Sequence, residues 1–182
     1  NLYSMYSFEA LSSCQNLLSS HDVKRFLNRC GNNQDGILGA IFLQATFPGI
    51  AGVYYGDEVG LGGADDPFNR EPFPWNNEES WNKTILEFTK SMMQIKNVNP
   101  IFKYGRFELL DYEENVVIFR RILQDESLIC IVNRDRITND IIIPSNAHSI
   151  DILYGDCEAN LEDGSVKITK NAGDIGIIVH EQ

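Results

Sequence analysis

Residues 48–75 read PGIAGVYYGDEVGLGGADDPFNREPFPW, and they carry the strongest structural signal in the sequence. It begins with a nearly continuous apolar run, residues 50–55, which is typical of a short strand buried on both faces of a parallel sheet. A Gly-Asp-Glu triplet ends the run, and a glycine-rich loop leads on to Asp66 and Arg70. In α/β proteins ligands bind in the loops that follow the carboxyl ends of parallel strands. The sequence therefore predicts a ligand site in this loop.

A second strand and its polar end precede this stretch. Residues 16–20 form a short segment that predicts a strand, and His21 and Asp22 follow at its end. Residues 33–47 predict a helix, because apolar side chains recur at helical spacing behind an asparagine that can cap it. Strand, helix and strand in this order make a crossover connection, which places both carboxyl ends at one edge of a parallel sheet. We therefore expect His21 and Asp22 to line one cleft with the acid and the arginine of the glycine-rich loop.

The hydrophobic period changes near residue 100. Residues 1–15 predict a short helix, and residues 79–96 predict a long one, because their apolar side chains recur every three or four positions. From residue 105 onward, short apolar runs alternate with Asn, Asp and Gly turns. These runs are residues 107–110, 116–121, 128–133, 140–144, 150–153, 166–169 and 175–180. Such a pattern predicts an all-β sandwich or barrel.

The composition limits the class of partner. Among the 182 residues, 15 Lys and Arg oppose 26 Asp and Glu, which gives a formal net charge of −11. Nucleic acids and anionic membranes need clustered positive charge, so neither is expected as a partner. A neutral ligand such as a sugar is compatible with this charge.

The cysteines and histidines show no metal-binding pattern. The four cysteines lack CxxC spacing, and the three histidines lie far apart without an HExxH motif. No apolar run of about 18 residues is present that could span a membrane. We therefore expect free, reduced thiols, no zinc site and a cytoplasmic protein.

Three segments, taken together and in order, resemble the alpha-amylase family of glycoside hydrolases, and the similarity is greatest to its neopullulanase, cyclomaltodextrinase and maltogenic amylase branch. They are NLLSSHDVKRF at residues 16–26, FPG followed by YYGDE within residues 47–58, and GGADDPFNR followed by PW within residues 62–75. Their order and spacing match the family along nearly all of residues 1–100.

The resemblance implies that the chain is a C-terminal fragment of a (β/α)8 TIM-barrel enzyme. The seventh strand of such a barrel would end at His21 and Asp22, and the eighth would be residues 49–55. A whole barrel takes about 250 residues, so residues 1–100 would form only its C-terminal portion, the seventh and eighth βα units. Residues 101–182 would form an antiparallel β-sandwich domain that follows it. The implied fold class is α/β plus all-β.

The resemblance also implies a retaining hydrolase of alpha-glucans such as starch, maltodextrin, cyclodextrin or pullulan. Asp22 would stabilise the transition state by binding hydroxyls of the distorted sugar, and His21 would donate a hydrogen bond to the same ring. Such contacts strengthen as oxocarbenium character develops, so they accelerate hydrolysis as well as bind. Asp66 and Arg70 would hold the neighbouring sugar on the non-reducing side. The simpler alternative is that this acid and this arginine only pair with each other.

The nucleophilic Asp and the acid–base Glu of the family lie on the fourth and fifth strands, upstream of this sequence. Asp57 and Glu58 are not expected to replace them, because consecutive residues leaving a strand point to opposite faces. A retaining pair must instead face one another, about 5–5.5 Å apart. We therefore expect the fragment to be inactive by itself and to hold no cofactor, whereas calcium in the full enzyme stays open.

Two functions of other classes also fit the sequence. A catalytically dead relative would keep the fold as a carbohydrate-binding or scaffold protein. Residues 105–182 alone suggest a carbohydrate-binding β module, but they show no row of aromatic residues, so a structural cap on the barrel fits them better.

Apolar residues around the predicted site carry two further expectations. Tyr55 and Trp75 could stack on sugars, but aromatic residues beside a buried strand pack in the core more often. A barrel reduced to two strands would expose the faces of residues 17–18 and 53–55 that should meet the missing strands. We therefore expect the fragment to associate with itself or to rearrange its N-terminal part.

Overall fold

Residues 1–98 alternate helices with short strands, whereas residues 99–182 are mainly β, and the chain divides into two units at this boundary. The computed structural model describes residues 5–133, 140–171 and 174–182. Residues 1–4 of the predicted N-terminal helix lie outside this range. The described part contains a short helix, α1 (Phe8–Ser12), which Ser7 caps.

The N-terminal unit, residues 1–98, contains four helices and two strands among its described residues. The elements are α1, β1 (Gln15–Leu17), α2 (Phe26–Arg29), α3 (Gln34–Thr46), β2 (Ile50–Gly52) and α4 (Lys83–Val98), with 3₁₀ turns at Asp57–Val59, Phe68–Arg70 and Glu78–Ser80. β1 and β2 pair in parallel, with Gln15 opposite Ile50 and Leu17 opposite Gly52. The predicted crossover is therefore confirmed, and the loops after both strands leave the same edge of the sheet.

Both strands are shorter than the sequence predicted. β1 stands where a strand at 16–20 was expected, and β2 ends well before the end of the implied strand at 49–55. Burial on both faces is also wrong, because Ile50 is 59% exposed and Val53 is 41% exposed. Each strand has one paired neighbour among the described residues, so part of the sheet stays open to solvent. The exposure expected at residues 17–18 and 53–55 is accordingly confirmed for Leu17, Val53 and Tyr55.

Helix α3 forms between the two strands for reasons visible in its sequence. The side chain of Asn33 caps it by accepting a hydrogen bond from the N–H of Gly36. Its buried apolar residues are Ile37, Leu38, Ile41, Phe42 and Ala45. At its end, the ammonium group of Lys96 donates to the carbonyls of Ala45 and Phe47. A cation at a helix C-terminus is favourable, because the last carbonyls lack partners within the helix.

Helix α4 begins at Lys83, later than the predicted start at residue 79. Asn82 sets this start, because its side-chain oxygen accepts a hydrogen bond from the N–H of Ile85. Trp81, which lies inside the predicted range 79–96, therefore stands just before the helix. The helix packs on α3 through buried residues that include Ile85 and Met92.

The C-terminal unit, residues 99–182, begins with a short helix that the sequence did not predict, α5 (Pro100–Tyr104), and continues with eight strands among its described residues. The strands are β3 (Arg106–Tyr112), β4 (Val116–Leu123), β5 (Glu126–Asn133), β6 (Asp140–Pro144), β7 (Ile150–Tyr154), β8 (Cys157–Glu162), β9 (Ser165–Lys170) and β10 (Gly176–Glu181). All seven predicted strands are present. β8 was missed, because Glu, Ala and Asn are poor strand formers and pairing with β9 determines its conformation.

Two antiparallel sheets in this unit share one hydrophobic core. Five strands are ordered β3-β4-β5-β10-β7, and three are ordered β6-β9-β8. The core residues are Ile118, Ile129, Ile131, Ile177 and Val179 from the larger sheet, and Ile143, Cys157, Val166 and Ile168 from the smaller one. Sheets that pack face to face over such a core make a β-sandwich.

The cysteines are free, as predicted. Burial raises the pKa of the Cys157 thiol to about 11, so this core thiol stays protonated at neutral pH. No helix in the described parts of the chain is long and apolar enough to cross a membrane.

Candidate functional site

The loop after β1 presents His21 and Asp22 to solvent. Their side chains are 67% and 72% exposed, and His21 Nε2 lies 3.3 Å from Asp22 Oδ1. The N–H of Asp22 donates to Ser20 Oγ at 3.1 Å, which fixes the start of the turn. The carboxylate of Asp22 is therefore open to a ligand, while its backbone is held.

The loop after β2 brings Asp66 and Arg70 to the same place. Arg70 Nε lies 3.3 Å from Asp66 Oδ1 and donates to the carbonyl oxygen of His21 at 3.1 Å. His21, Asp22, Asp66 and Arg70 thus form one connected group, which we refer to as the site group. The acid and the arginine also pair with each other, as the simpler alternative required. Since both side chains are about half exposed, this ion pair contributes little stability and can open to a ligand.

Asn69 joins the two loops, and the sequence prediction missed it. The residue is 1% exposed. Its Nδ2 donates to the carbonyl oxygens of His21 at 3.0 Å and Val23 at 3.1 Å. These two carbonyls flank Asp22 in the chain. An asparagine in a Gly- and Pro-rich loop is an ordinary turn residue by composition, so no sequence signal distinguished this one.

Arg25 is a second missed residue beneath the site group. Its side chain is fully buried, and Nη1 donates to the carbonyl oxygen of Tyr55 at 2.7 Å and lies 3.4 Å from Asp57 Oδ1. The guanidinium carbon lies 4.7 Å and 4.8 Å from the ring centres of Tyr54 and Tyr55. Nε and Nη2 make no hydrogen bond within the described residues, and the guanidinium lies at cation–π distance from these two rings. Arg25 therefore anchors the loop after β1 to the loop after β2.

Asp57 and Glu58 have structural roles in this arrangement. Burial raises the pKa of the Asp57 carboxyl, and hydrogen bonds from Ser19 and Arg25 oppose that shift. Glu58 Oε2 accepts a hydrogen bond from the N–H of Gly56 at 2.7 Å. Neither carboxylate belongs to the site group.

Gly63 permits the close packing of the site loop. A Cβ at this position would lie 2.5 Å from the carbonyl oxygen of Phe68 and 2.9 Å from Cα of Asn69. Its carbonyl also accepts a hydrogen bond from the N–H of Arg25 at 3.0 Å. Only glycine at this position therefore lets the 3₁₀ turn that carries Asn69 and Arg70 pack against the loop backbone at Gly63.

Trp75 corrects the expectation that the aromatic residues here are core. It is 72% exposed, and its ring centre lies 4.3 Å from that of Phe73. Phe73 in turn contacts Trp81, whose indole N–H donates to the carbonyl of Pro74. Tyr55 is 39% exposed, so it too lies outside the core. Trp75 is thus an accessible aromatic ring on a packed base.

Within the described ranges, no group of three or more His, Cys, Asp or Glu side chains could hold a metal ion.

Relatives of known name match both units. Neopullulanase 2 of Thermoactinomyces vulgaris is 31% identical over 171 residues, which cover 91% of this chain and 29% of that protein. Cyclomaltodextrinase of Thermoanaerobacter pseudethanolicus is 39% identical over 118 residues, which cover 65% of this chain and 20% of that protein. The chain spans less than a third of the length of these curated relatives.

A solved structure and a family model agree with these relatives. The debranching enzyme of Nostoc punctiforme matches with a TM-score of 0.86 at 30% identity, over 98% of this chain and 37% of that chain. The model described as the alpha amylase catalytic domain matches residues 4–104. The chain therefore belongs to the alpha-amylase family of glycoside hydrolases.

Proposed function

We propose that this chain is the C-terminal part of a retaining alpha-amylase-type hydrolase of alpha-glucans. The observation that carries the proposal is the site group, which gathers two carboxylates, an imidazole and a guanidinium at one edge of the β1–β2 sheet. The relatives are named for pullulan and cyclomaltodextrin, which supports alpha-glucans as the proposed class of substrate. In this proposal residues 1–100 are the end of the catalytic barrel and residues 101–182 are its β-sandwich domain.

Asp22 is the proposed transition-state stabiliser. Its exposed carboxylate accepts hydrogen bonds from hydroxyls of the distorted sugar, and these bonds strengthen as positive charge develops on the ring. His21, whose Nε2 lies 3.3 Å from that carboxylate, reaches the same sugar as a donor. The two residues act in the transition state more than in the ground state, so their loss lowers kcat.

Asp66 and Arg70 are the proposed binding pair for the neighbouring sugar. Their mutual contact is half exposed, so sugar hydroxyls can replace water around it at low cost. A neutral ligand also avoids the repulsion that the net charge of −11 would exert on an anion. This pair acts on ground-state binding, so its loss raises KM.

The nucleophile and the acid–base residue are proposed to lie upstream, in a longer natural product. Asp57 and Glu58 do not fit either role, because one is buried against Arg25 and the other binds a backbone N–H. The 182-residue chain alone is therefore expected to be inactive.

The test compares the natural gene product that contains residues 1–182 with the isolated chain, each assayed on cyclodextrin and pullulan. We expect new reducing ends from the natural product and none from the isolated chain. In the natural product, Asp66→Asn should raise KM by about 10-fold or more, because a hydrogen bond to a charged group is lost. The matched control is Asp163→Asn, an exposed acid in the turn between β8 and β9, which should leave KM unchanged.

Two outcomes contradict this function. Turnover by the isolated chain at the rate of the natural product would show that the nucleophile lies within it. Binding of maltooligosaccharide without turnover by the natural product would instead favour the carbohydrate-binding scaffold, for which the exposed ring of Trp75 provides a contact surface.

A further inference from the structure

We propose that Asn69 is a positioning residue for Asp22; this inference rests on the proposed function, in which Asp22 stabilises the transition state. Its Nδ2 carries two hydrogens, and the two acceptors are the carbonyl oxygens of His21 and Val23, the residues on either side of Asp22. The side chain therefore holds the backbone on both sides of Asp22, whose carboxylate matters most for turnover. We refer to this pair of hydrogen bonds as the bracket.

The amide of an asparagine is suited to these two hydrogen bonds. Both acceptors are carbonyl oxygens, so the group that faces them must be a donor with two N–H bonds. Aspartate has nearly the same shape but presents oxygens, and leucine presents none of these groups. The direction of the amide follows from the same argument, because the flipped amide would set its oxygen against two carbonyl oxygens.

Asn69 is itself fixed, so it can transmit its position to Asp22. Its own carbonyl accepts a hydrogen bond from the hydroxyl of Tyr54 at 3.4 Å, and its Cα lies close against Gly63. The carbonyl oxygen of His21 also accepts a hydrogen bond from Arg70 Nε. The turn around Asp22 is thus tied to the loop that carries the binding pair.

Loss of the bracket should affect turnover more than binding. Displacement of a catalytic group by about 1 Å costs up to about 100-fold in rate. We therefore expect Asn69→Leu in the natural product to lower kcat by about 10- to 100-fold on cyclodextrin, with KM changed by less than about threefold.

Two comparisons separate positioning from general destabilisation. Asn82→Ala removes a helix cap and a hydrogen bond to Gln34 in the same unit without a contact to residues 21–23, and it should lower Tm but not kcat. On an Asp22→Asn background, Asn69→Leu should cause no further loss of the residual kcat, since the group that it positions is gone.

A titratable variant adds a pH profile of activity, which would not change if Asn69 had only a structural role. Asn69→Asp loses both donors when ionised, but its protonated form regains one O–H donor. Its activity relative to that of the unmodified protein should therefore recover as pH falls, whereas the relative activity of Asn69→Leu should not.

The outcomes distinguish this inference from the function on which it rests. If the natural product fails to hydrolyse alpha-glucans, or Asp22→Asn keeps its kcat, both are wrong. If Asp22→Asn loses turnover while the two Asn69 variants retain kcat within about threefold, only the role of Asn69 is wrong. A lost kcat that is additive with Asp22→Asn would also overturn it.

Discussion

The two units of the chain are stabilised in different ways. In the C-terminal unit, antiparallel sheets close over a core of isoleucine and valine side chains, and long ladders pair their backbones. In the N-terminal unit, β1 and β2 pair over only three residues each. Buried polar side chains there supply hydrogen bonds to carbonyls that longer ladders would otherwise satisfy.

The polar contacts of the N-terminal unit show what this difference means. Gln44 of α3 donates to the carbonyls of Asn16 and Gly52, and so binds both strands. Arg25 and Asn69 do the same for the two site loops. All three side chains belong to residues at most 5% exposed. The two site loops thus depend on a few specific polar groups, whereas the core shared by the two sheets of the sandwich depends on apolar packing spread over many residues.

The two units can be followed separately. Trp75 and Trp81 are the only tryptophans, so their fluorescence reports unfolding of residues 1–98. Amide hydrogen exchange of peptides from β4, β5 and β10 reports the sandwich. Together, these two signals distinguish a change in one unit from a change in the other.

The largest effect is expected for Arg25→Met. Removal of the guanidinium leaves the Asp57 carboxylate buried without its cation, so the free energy of unfolding of the N-terminal unit should fall by about 3–5 kcal/mol. Urea unfolding followed by tryptophan fluorescence measures it. Arg29→Met, at an exposed position on α2, is the control and should change stability by less than about 1 kcal/mol. Equal effects of the two variants would contradict the role given to buried polar groups.

The next effect is expected for Ile177→Ala in the sandwich core. This fully buried side chain leaves a cavity, which costs about 2–5 kcal/mol. Exchange should accelerate in β5 and β10, while the fluorescence transition should move less. Ile142→Ala, at a residue that is 67% exposed, is the matched control with an effect below about 1 kcal/mol. If the fluorescence transition showed as large a loss of stability as the exchange data, the two units would not be stabilised independently.

A smaller effect is expected for Asn33→Ala at the start of α3. Loss of the cap to Gly36 should destabilise the N-terminal unit by about 1 kcal/mol. The same change at the exposed Asn76 should have no measurable effect on the fluorescence transition. A cap variant as stable as the unmodified chain would show that packing alone holds the helix.

The smallest effect is expected for the pH dependence of stability that Asp57 causes, and it tests the same ion pair as Arg25→Met. Burial raises the pKa of the Asp57 carboxyl in the folded state above the ordinary value for an aspartate, so the folded chain binds this proton more tightly than the unfolded chain does. The stability that the protonated Asp57 carboxyl contributes is thus complete below the pKa of the unfolded state. It is lost as pH rises through the raised pKa of the folded state. Unfolding of Asp57→Asn at pH 4 and pH 7 should lack this loss, and Arg25→Met should enlarge it. An unchanged pH slope in Asp57→Asn would contradict the assignment.

Local patterns determined the parts of the fold that the sequence predicted. The cap and apolar face of α3, the crossover and the seven strand positions depend on neighbours along the chain. β8 depends instead on β9, and the short length of β1 and β2 depends on which strands are available to pair. Those are tertiary effects that no local window contains.

The site was predicted in part for the same reason. His21, Asp22, Asp66 and Arg70 are polar residues in the segments that follow two predicted parallel strands, so the topology placed them at one edge of the sheet. Asn69 and Arg25 act through contacts with backbone carbonyls, whose positions the sequence does not give. The exposure of Trp75 likewise depends on packing around it rather than on its neighbours in the chain.

The role of Asp22 can be tested by measuring kcat of the natural gene product with Asp22→Asn, on cyclodextrin. The proposed role of Asp22 predicts a loss of about 100- to 1,000-fold with the thermal transition unchanged, because a transition-state contact disappears while an exposed side chain keeps its shape. Turnover within about threefold of the unmodified protein would contradict the assignment of the site group as part of a glycosidase active site.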